Sequence, residues 1–168
     1  MARKRISLDN AEKDKLFYFV TTIVVYRESD RRCLILKRDM KDDVYPGKWA
    51  LPGGKLAWDD FNLSKPDMKS NGILNFNRPL EKQVAVIVKE KAGIEVGSRP
   101  QYLESVFFVR PDGTPSVLVR FGARYLGGEV KPKAGFTDFA WVNEEEIKKY
   151  DHIEDIDMDV LKTIKLFS

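Results

Sequence analysis

A chain of 168 residues with 43% hydrophobic and 33% charged residues has the size and apolar content of one globular domain with one core. The net charge of +3 is mild and comes partly from Arg3-Lys4-Arg5, which argues for a solvated basic tail and against nucleic acid as a partner. The single cysteine, Cys33, excludes an internal disulfide and a multi-cysteine zinc site, and the absence of an apolar leader or spanning run leads to the expectation of a cytoplasmic protein with no membrane partner.

Residues 1–14 are polar and charged and read as an extension, with a short helix from Leu8 and disorder both open. Residues 15–168 read as a single domain. Phe17 to Tyr26 is rich in β-branched and aromatic residues and predicts a buried strand, turned at Glu28-Ser29-Asp30-Arg31 into a second strand over Cys33 to Lys37. Arg38 and Asp39 then stand at the mouth of a Gly/Pro loop, Trp49-Ala50-Leu51-Pro52-Gly53-Gly54-Lys55. Trp58 to Pro79 is polar and turn-rich, and reads as a surface excursion pinned by Trp58 and Phe76, or as a functional loop.

Pro79 to Ala92 predicts a helix. Proline stands in its first turn, Gly93 stands past its end, and Leu80, Val84, Val88 and Ala92 repeat at four-residue spacing as one apolar stripe. Its second face reads Gln83, Val86, Ile87, Glu90 and Lys91. The β-branched run Val86-Ile87-Val88 is weak as a helix and, read alone, fits a strand equally well. Further on, Gln101 to Val109 and Ser116 to Leu126 predict an antiparallel pair about Pro111-Asp112-Gly113-Thr114-Pro115. Phe136 to Val142 is a short strand, Asn143 caps a helix through Ile147, and Ile153 to Phe167 has helical spacing. Strands and helices do not alternate strictly, so the class is α+β. Trp141 and Cys33 read as core residues. His152, the only histidine, reads as a surface or capping residue, and Trp58 divides evenly between structure and base stacking.

The loop Trp49-Ala50-Leu51-Pro52-Gly53-Gly54-Lys55 together with the helix ending at Gly93-Ile94 resembles the signature of the Nudix (MutT-like) hydrolases. In words, that signature is a glycine, five residues, a glutamate, seven residues, Arg-Glu, an aliphatic residue, any residue, Glu-Glu, any residue, glycine and an aliphatic residue. Gly54 fits the first glycine and Asp60 takes the place of the first glutamate. Val86 and Ile87 take the place of Arg-Glu, and Glu90-Lys91 that of Glu-Glu. Gly54 and Gly93 stand 39 positions apart, about 18 more than in the family pattern, so residues 58–79 form an insertion inside a degenerate box.

The resemblance implies the Nudix fold, an α/β/α sandwich with a central mixed β-sheet, and hydrolysis of a pyrophosphate linked to another group. It implies Glu90 as catalytic residue, Glu90 and Asp60 as metal ligands, and Arg38, Gly53, Gly54, Lys55, Lys91 and Arg120 as substrate contacts. Mg²⁺ or Mn²⁺ is the implied cofactor of an active enzyme, since magnesium needs hard oxygen ligands. Ile87 supplies no oxygen and Lys91 brings an ammonium, while Glu90 between Lys89 and Lys91 reads as an ordinary salt-bridged glutamate. The expected function is binding of a nucleoside diphosphate-type pyrophosphate ligand with hydrolysis weak or lost, a role that needs no metal. An active hydrolase drawing carboxylates from Asp59, Asp60 or Asp67 of the insertion, or from Glu104 or Asp138, is one alternative. A non-catalytic interaction module, in which Val86 and Ile87 form an apolar patch for a partner or for a homodimer, is the other.

Overall fold

A computed structural model describes residues 6–168, so the Arg3-Lys4-Arg5 cluster lies outside the described residues. Around Leu8 there is no α-helix; a single 3₁₀ turn, Lys13–Lys15, precedes the first strand. The strands are β1 (Tyr18–Arg27), β2 (Arg32–Arg38), β3 (Trp49–Ala50), β4 (Gly53–Lys55), β5 (Met68–Ser70), β6 (Ile73–Asn75), β7 (Glu95–Val96), β8 (Gln101–Val109), β9 (Pro115–Gly127) and β10 (Phe136–Val142). The helices are α1 (Pro79–Ala92) and α2 (Ile156–Phe167).

One mixed sheet runs in the order β10-β2-β1-β9-β7, with β3 paired to β2, β4 to β1 and β8 to β9. The parallel element is β1 beside β9, in register from Tyr18 against Ser116 to Tyr26 against Arg124. Strand alternation then sorts the side chains. Ile23, Val25, Leu34, Leu36, Phe121 and Ala123 face α1, where Val84, Ile87, Val88 and Ala92 are buried. Val24, Tyr26, Cys33, Ile35 and Val142 face α2, where Ile156, Val160 and Ile164 close a second core layer. A helix on each face of a mixed sheet is the sandwich expected from the sequence.

The β-branched run of α1 is helical because Ile87 and Val88 are buried against the sheet, which outweighs the poor intrinsic propensity of the run, while Val86 is exposed. Pro79 occupies the first turn, and Gly93 (φ +74°) donates its N–H to Lys89 O at 3.0 Å, closing the helix in the left-handed conformation that glycine adopts without strain. Two further carbonyls at this end are satisfied from outside the helix: Lys131 N–H donates to Ala92 O (2.8 Å) and Lys133 N–H to Lys91 O (2.9 Å).

Four expectations change. The excursion is not pinned by Trp58, which is exposed; Phe61 packs edge-on against Phe76 at 5.2 Å between centroids instead. The excursion carries its own hairpin, β5 and β6, turned at Asn71-Gly72 with both residues at positive φ. Asn143 Oδ1 does accept the N–H groups of Glu145 and Glu146, but the helix that follows is only a 3₁₀ turn, Glu146–Lys149. The last helix starts at Ile156, because Asp155 (φ 70°) turns the backbone just before it.

Candidate functional site

The site is built where β4 meets α1. Pairing with β1 sets Gly54 opposite Thr21 and Lys55 opposite Val20. Thr21 Oγ1 donates to Gln83 Oε1 at 3.0 Å, tying α1 to the sheet beside this loop. A Cβ added at Gly54 would lie 3.1 Å from Ile87 Cγ1 and 3.2 Å from its Cδ1, so the loop backbone rests directly on Ile87. At Gly53 an added Cβ would come within 3.0 Å of Thr22 Cγ2 and 3.2 Å of Thr21 O. Both glycines therefore permit a close approach of backbone that larger residues would push apart.

The insertion supplies the other wall. Asp60 accepts the N–H of Ala57 at 2.7 Å and closes the turn after β4. Asp67 accepts the N–H of Asn77 (2.7 Å) and Lys82 Nζ (3.0 Å), joining the two ends of the hairpin to each other and to α1. These two donors, the Asn77 N–H first, hold the Asp67 carboxyl below the usual aspartate range. Between the two walls lies a cleft of about 540 Å³, lined on α1 by Pro79 and Lys82 of its first turn and then by Gln83, Val86, Ile87, Glu90 and Lys91. The last five are those that matter to its chemistry, and all five belong to the second face read from the helix sequence. Gly54, Lys55 and Asp60 line it from the loop, and Phe61, Asn62, Lys65, Phe76 and Asn77 from the insertion.

Its electrostatics are uneven. Lys82 is paired with Asp67. Among the described residues Lys55, Lys65 and Lys91 have no carboxylate partner; Lys55 lies over the Tyr18 ring at 5.2 Å, and Lys91 Nζ reaches Ala134 O at 3.4 Å. Glu90 was expected in a salt bridge and has no cationic partner among the described residues, because Lys89 turns instead to Glu95 (2.5 Å).

Of the residues picked out in the sequence, Gly54, Lys55, Asp60, Glu90 and Lys91 come together here, with Gly53 directly behind the loop. Arg38 and Arg120 do not join them. Arg38 is bonded to Asp42 and lies 6.0 Å over the Phe136 ring. Arg120 is buried on the α2 face, 2.7 Å from Glu104 and 3.2 Å from Asp159. Its register partner Thr22 alternates with Thr21, so the strand period carries Arg120 through to the opposite layer. Glu104 is held there too, by Lys162 and Arg120, which keep its carboxyl below the usual range. Asp138 and Trp58 line no part of the cleft. His152 Nδ1–H donates to Ile153 O (2.7 Å), and Trp141 packs under the Arg27 guanidinium at 4.0 Å. Lys65, Phe61 and Asn77 were not singled out as site residues; the sequence signal for them was Asn71-Gly72, which marks a hairpin that folds the insertion back over the loop.

The donor set does not fit a helix-borne magnesium site. Asp60 and Glu90 are the only carboxylates in the lining besides Asp67, which is committed to Asn77 and Lys82. Among the described residues no three or more His, Cys, Asp or Glu side chains are grouped to hold an ion. Ile87, where the resemblance asks for a carboxylate, is 3% exposed and belongs to the core. Octahedral Mg²⁺ needs several hard oxygens, and the Lys91 ammonium opposes it. A second hollow, of about 470 Å³ between Gly97, Arg124 and Phe167, holds Arg124 already paired to Glu28 and is lined by no carboxylate.

No protein-family model matches the sequence, and no curated protein matches it. Solved structures do. A MutT protein from Methanosarcina mazei Go1 aligns over 93% of this chain and 98% of its own, with a TM-score of 0.61 at 20% identity. The NUDIX domain of Shewanella oneidensis NrtR, solved as a cocrystal with ADP ribose, aligns over 96% of each chain with a TM-score of 0.67 at 18% identity. A C. elegans Ap4A hydrolase, solved as a binary complex, covers 89% of this chain and 97% of its own, with a TM-score of 0.60 at 15% identity. Together with the α1–sheet–α2 layering and the glycine loop seated on α1, these likenesses show that the chain has the Nudix fold.

Proposed function

We propose that this protein binds a nucleoside diphosphate-type pyrophosphate ligand in the cleft between β4, α1 and the insertion, and hydrolyses it weakly or not at all. The observation that carries this reading is the charge of the cleft. Lys55, Lys65 and Lys91 line it without carboxylate partners among the described residues, while the buried Ile87 replaces the acidic wall. Ammonium groups in a concave, partly apolar site attract phosphate oxygens strongly, because the low local dielectric weakens screening. The Phe61–Phe76 pair and the Asn62 and Asn77 amides, all in the lining, suit a flat ring with polar edges. The ADP ribose carried by the Shewanella domain and the Ap4A hydrolase activity named for the nematode protein belong to the same ligand class.

The two alternatives find less support. Asp60 and Asp67 of the insertion each spend Oδ2 on a backbone N–H group, and Asp67 Oδ2 also takes Lys82, so both carboxylates are tied to turn geometry instead of converging on a metal. An apolar patch of Val86 and Ile87 reduces to Val86, because Ile87 is in the core; a homodimer through that patch loses its main anchor. The test is calorimetric titration with ADP and ADP-ribose, beside a phosphate-release screen over nucleoside diphosphate derivatives with Mg²⁺ and Mn²⁺. Saturable binding with little turnover is expected; rapid turnover overturns the reading.

A further inference from the structure

We infer that the cleft takes the metal-free form of its diphosphate ligand, so that Mg²⁺ opposes binding instead of supporting it. This rests on the ligand class proposed above and adds the ionic state in which that ligand is recognised.

The three ammoniums without a carboxylate partner come from three separate segments. Lys55 is on β4, Lys65 follows a turn in the insertion where its N–H donates to Asn62 O (2.8 Å), and Lys91 is in the last turn of α1. The cleft thus carries a positive charge on each wall. Lys91 is held from two sides, since its carbonyl accepts Lys133 N–H and its Nζ reaches Ala134 O. A chelated diphosphate arrives with two fewer negative charges than the free anion. Its metal would meet the Lys91 ammonium, the apolar Ile87 and one unpaired carboxylate, Glu90. Like charges a few ångströms apart still repel, since they lie within the screening length of ordinary buffer. Glu90 is then the group that discourages the anion. In a metal site it would be the group that anchors the cation.

The opposite roles of Glu90 give the experiment its discrimination. The full chain is titrated with ADP and with inorganic pyrophosphate, once in EDTA and once in millimolar MgCl₂ with ionic strength matched by NaCl. Affinity for both probes is expected to be about fivefold or more higher in EDTA, the range that loss of one or two charge contacts brings. E90Q should tighten binding in EDTA about two- to fivefold, and K91M and K65M should each weaken it about fivefold and flatten the response to Mg²⁺. Thermal melts confirm that each variant is folded, and the wild-type comparison stands without them. Affinity that is equal in the two buffers, or higher with Mg²⁺, or lost in E90Q, overturns metal-free recognition while leaving the ligand class in place. Absence of binding by either probe in either buffer overturns the ligand class, and this inference with it.

Discussion

Ile87 is the residue on which the stability of α1 and the chemistry of the cleft both turn, and I87E separates the two. At 3% exposure the isoleucine is nearly fully withdrawn from water, with Gly54 against its Cγ1 and Cδ1. Removing it forfeits about 1.5–3 kcal/mol of burial. The carboxylate introduced would sit in a seam whose strand N–H groups are engaged in the β1–β4 ladder, so burial forces it toward the protonated form. Keeping a glutamate protonated near pH 7.5 costs up to about 4 kcal/mol on top of the lost burial, and much less near pH 5. The total, up to about 5.5–7 kcal/mol at pH 7.5, approaches the whole stability of an ordinary domain. I87V should cost only about 1 kcal/mol and I87M less than about 1.5. Urea unfolding followed by tryptophan fluorescence at the two pH values reads all of these. If I87E matched I87M at pH 7.5, its side chain would have to reach open solvent in the cleft, and the apolar wall would not exist.

Other perturbations test neighbouring parts. Asp159 is fully buried; burial, opposed by Arg120 and helped by Glu104, pushes its carboxyl up to about 6, with Lys162 and Asp155 as weaker neighbours. The folded state therefore holds this proton more tightly than the unfolded chain does. The contribution is fully present below about pH 4 and is lost as pH rises through 6, so the stability difference between wild type and D159N should fall by about 2 kcal/mol from pH 4.5 to 7.5. Parallel profiles would remove Asp159 from the account. G54A, which sets a methyl 3.1 Å from Ile87, should cost about 1–3 kcal/mol by urea unfolding and weaken ADP binding as β4 lifts from α1. D67N, which loses the Lys82 ion pair and weakens the Asn77 bond, should leave global stability within about 1 kcal/mol while speeding proteolytic cleavage inside residues 62–76. V86R/I87E/K91E sets the carboxylate introduced at position 91 beside Glu90 and gives the one introduced at position 87, otherwise held protonated in the seam, a cation to turn toward, so the variant should melt several degrees higher in Mg²⁺ than in EDTA; a folded triple variant indifferent to magnesium would count against the register of the helix.

Local signals in the sequence located what local physics decides. Pro79 and Gly93 bracket α1 to the residue, and the β8–β9 hairpin follows from the turn at Pro111 to Thr114. The second face of α1 also faces the cleft as the helical period predicts. What escaped depends on partners far along the chain. The parallel pairing of β1 with β9 sets which residues of β9 reach which layer, and it carries Arg120 behind the sheet into the company of Asp159. Arg38 is diverted by Asp42, a competition for one guanidinium that spacing alone does not settle. The β5–β6 hairpin had its mark in Asn71-Gly72, but the flanking strands are three residues each, too short to show alternation.

The apolar Ile87 and the long segment between β4 and α1 act on the same cleft in the same sense. A row of carboxylates on one helix face repels itself and is held folded by the metal it binds. Ile87 removes that repulsion and adds burial against Gly54, so α1 docks without an ion. The cleft then needs positive charge from the protein if it is to hold phosphates. Lys91 supplies it on the helix, and the insertion, pinned by Asp67 to Asn77 and Lys82, brings Lys65 to the opposite side. The Asp67–Lys82 pair stitches the excursion to α1 close to Gln83 and Val86. That stitch is why a binding assay on K65M, a residue outside the family pattern altogether, probes the charge of the cleft more cleanly than any change on the helix itself.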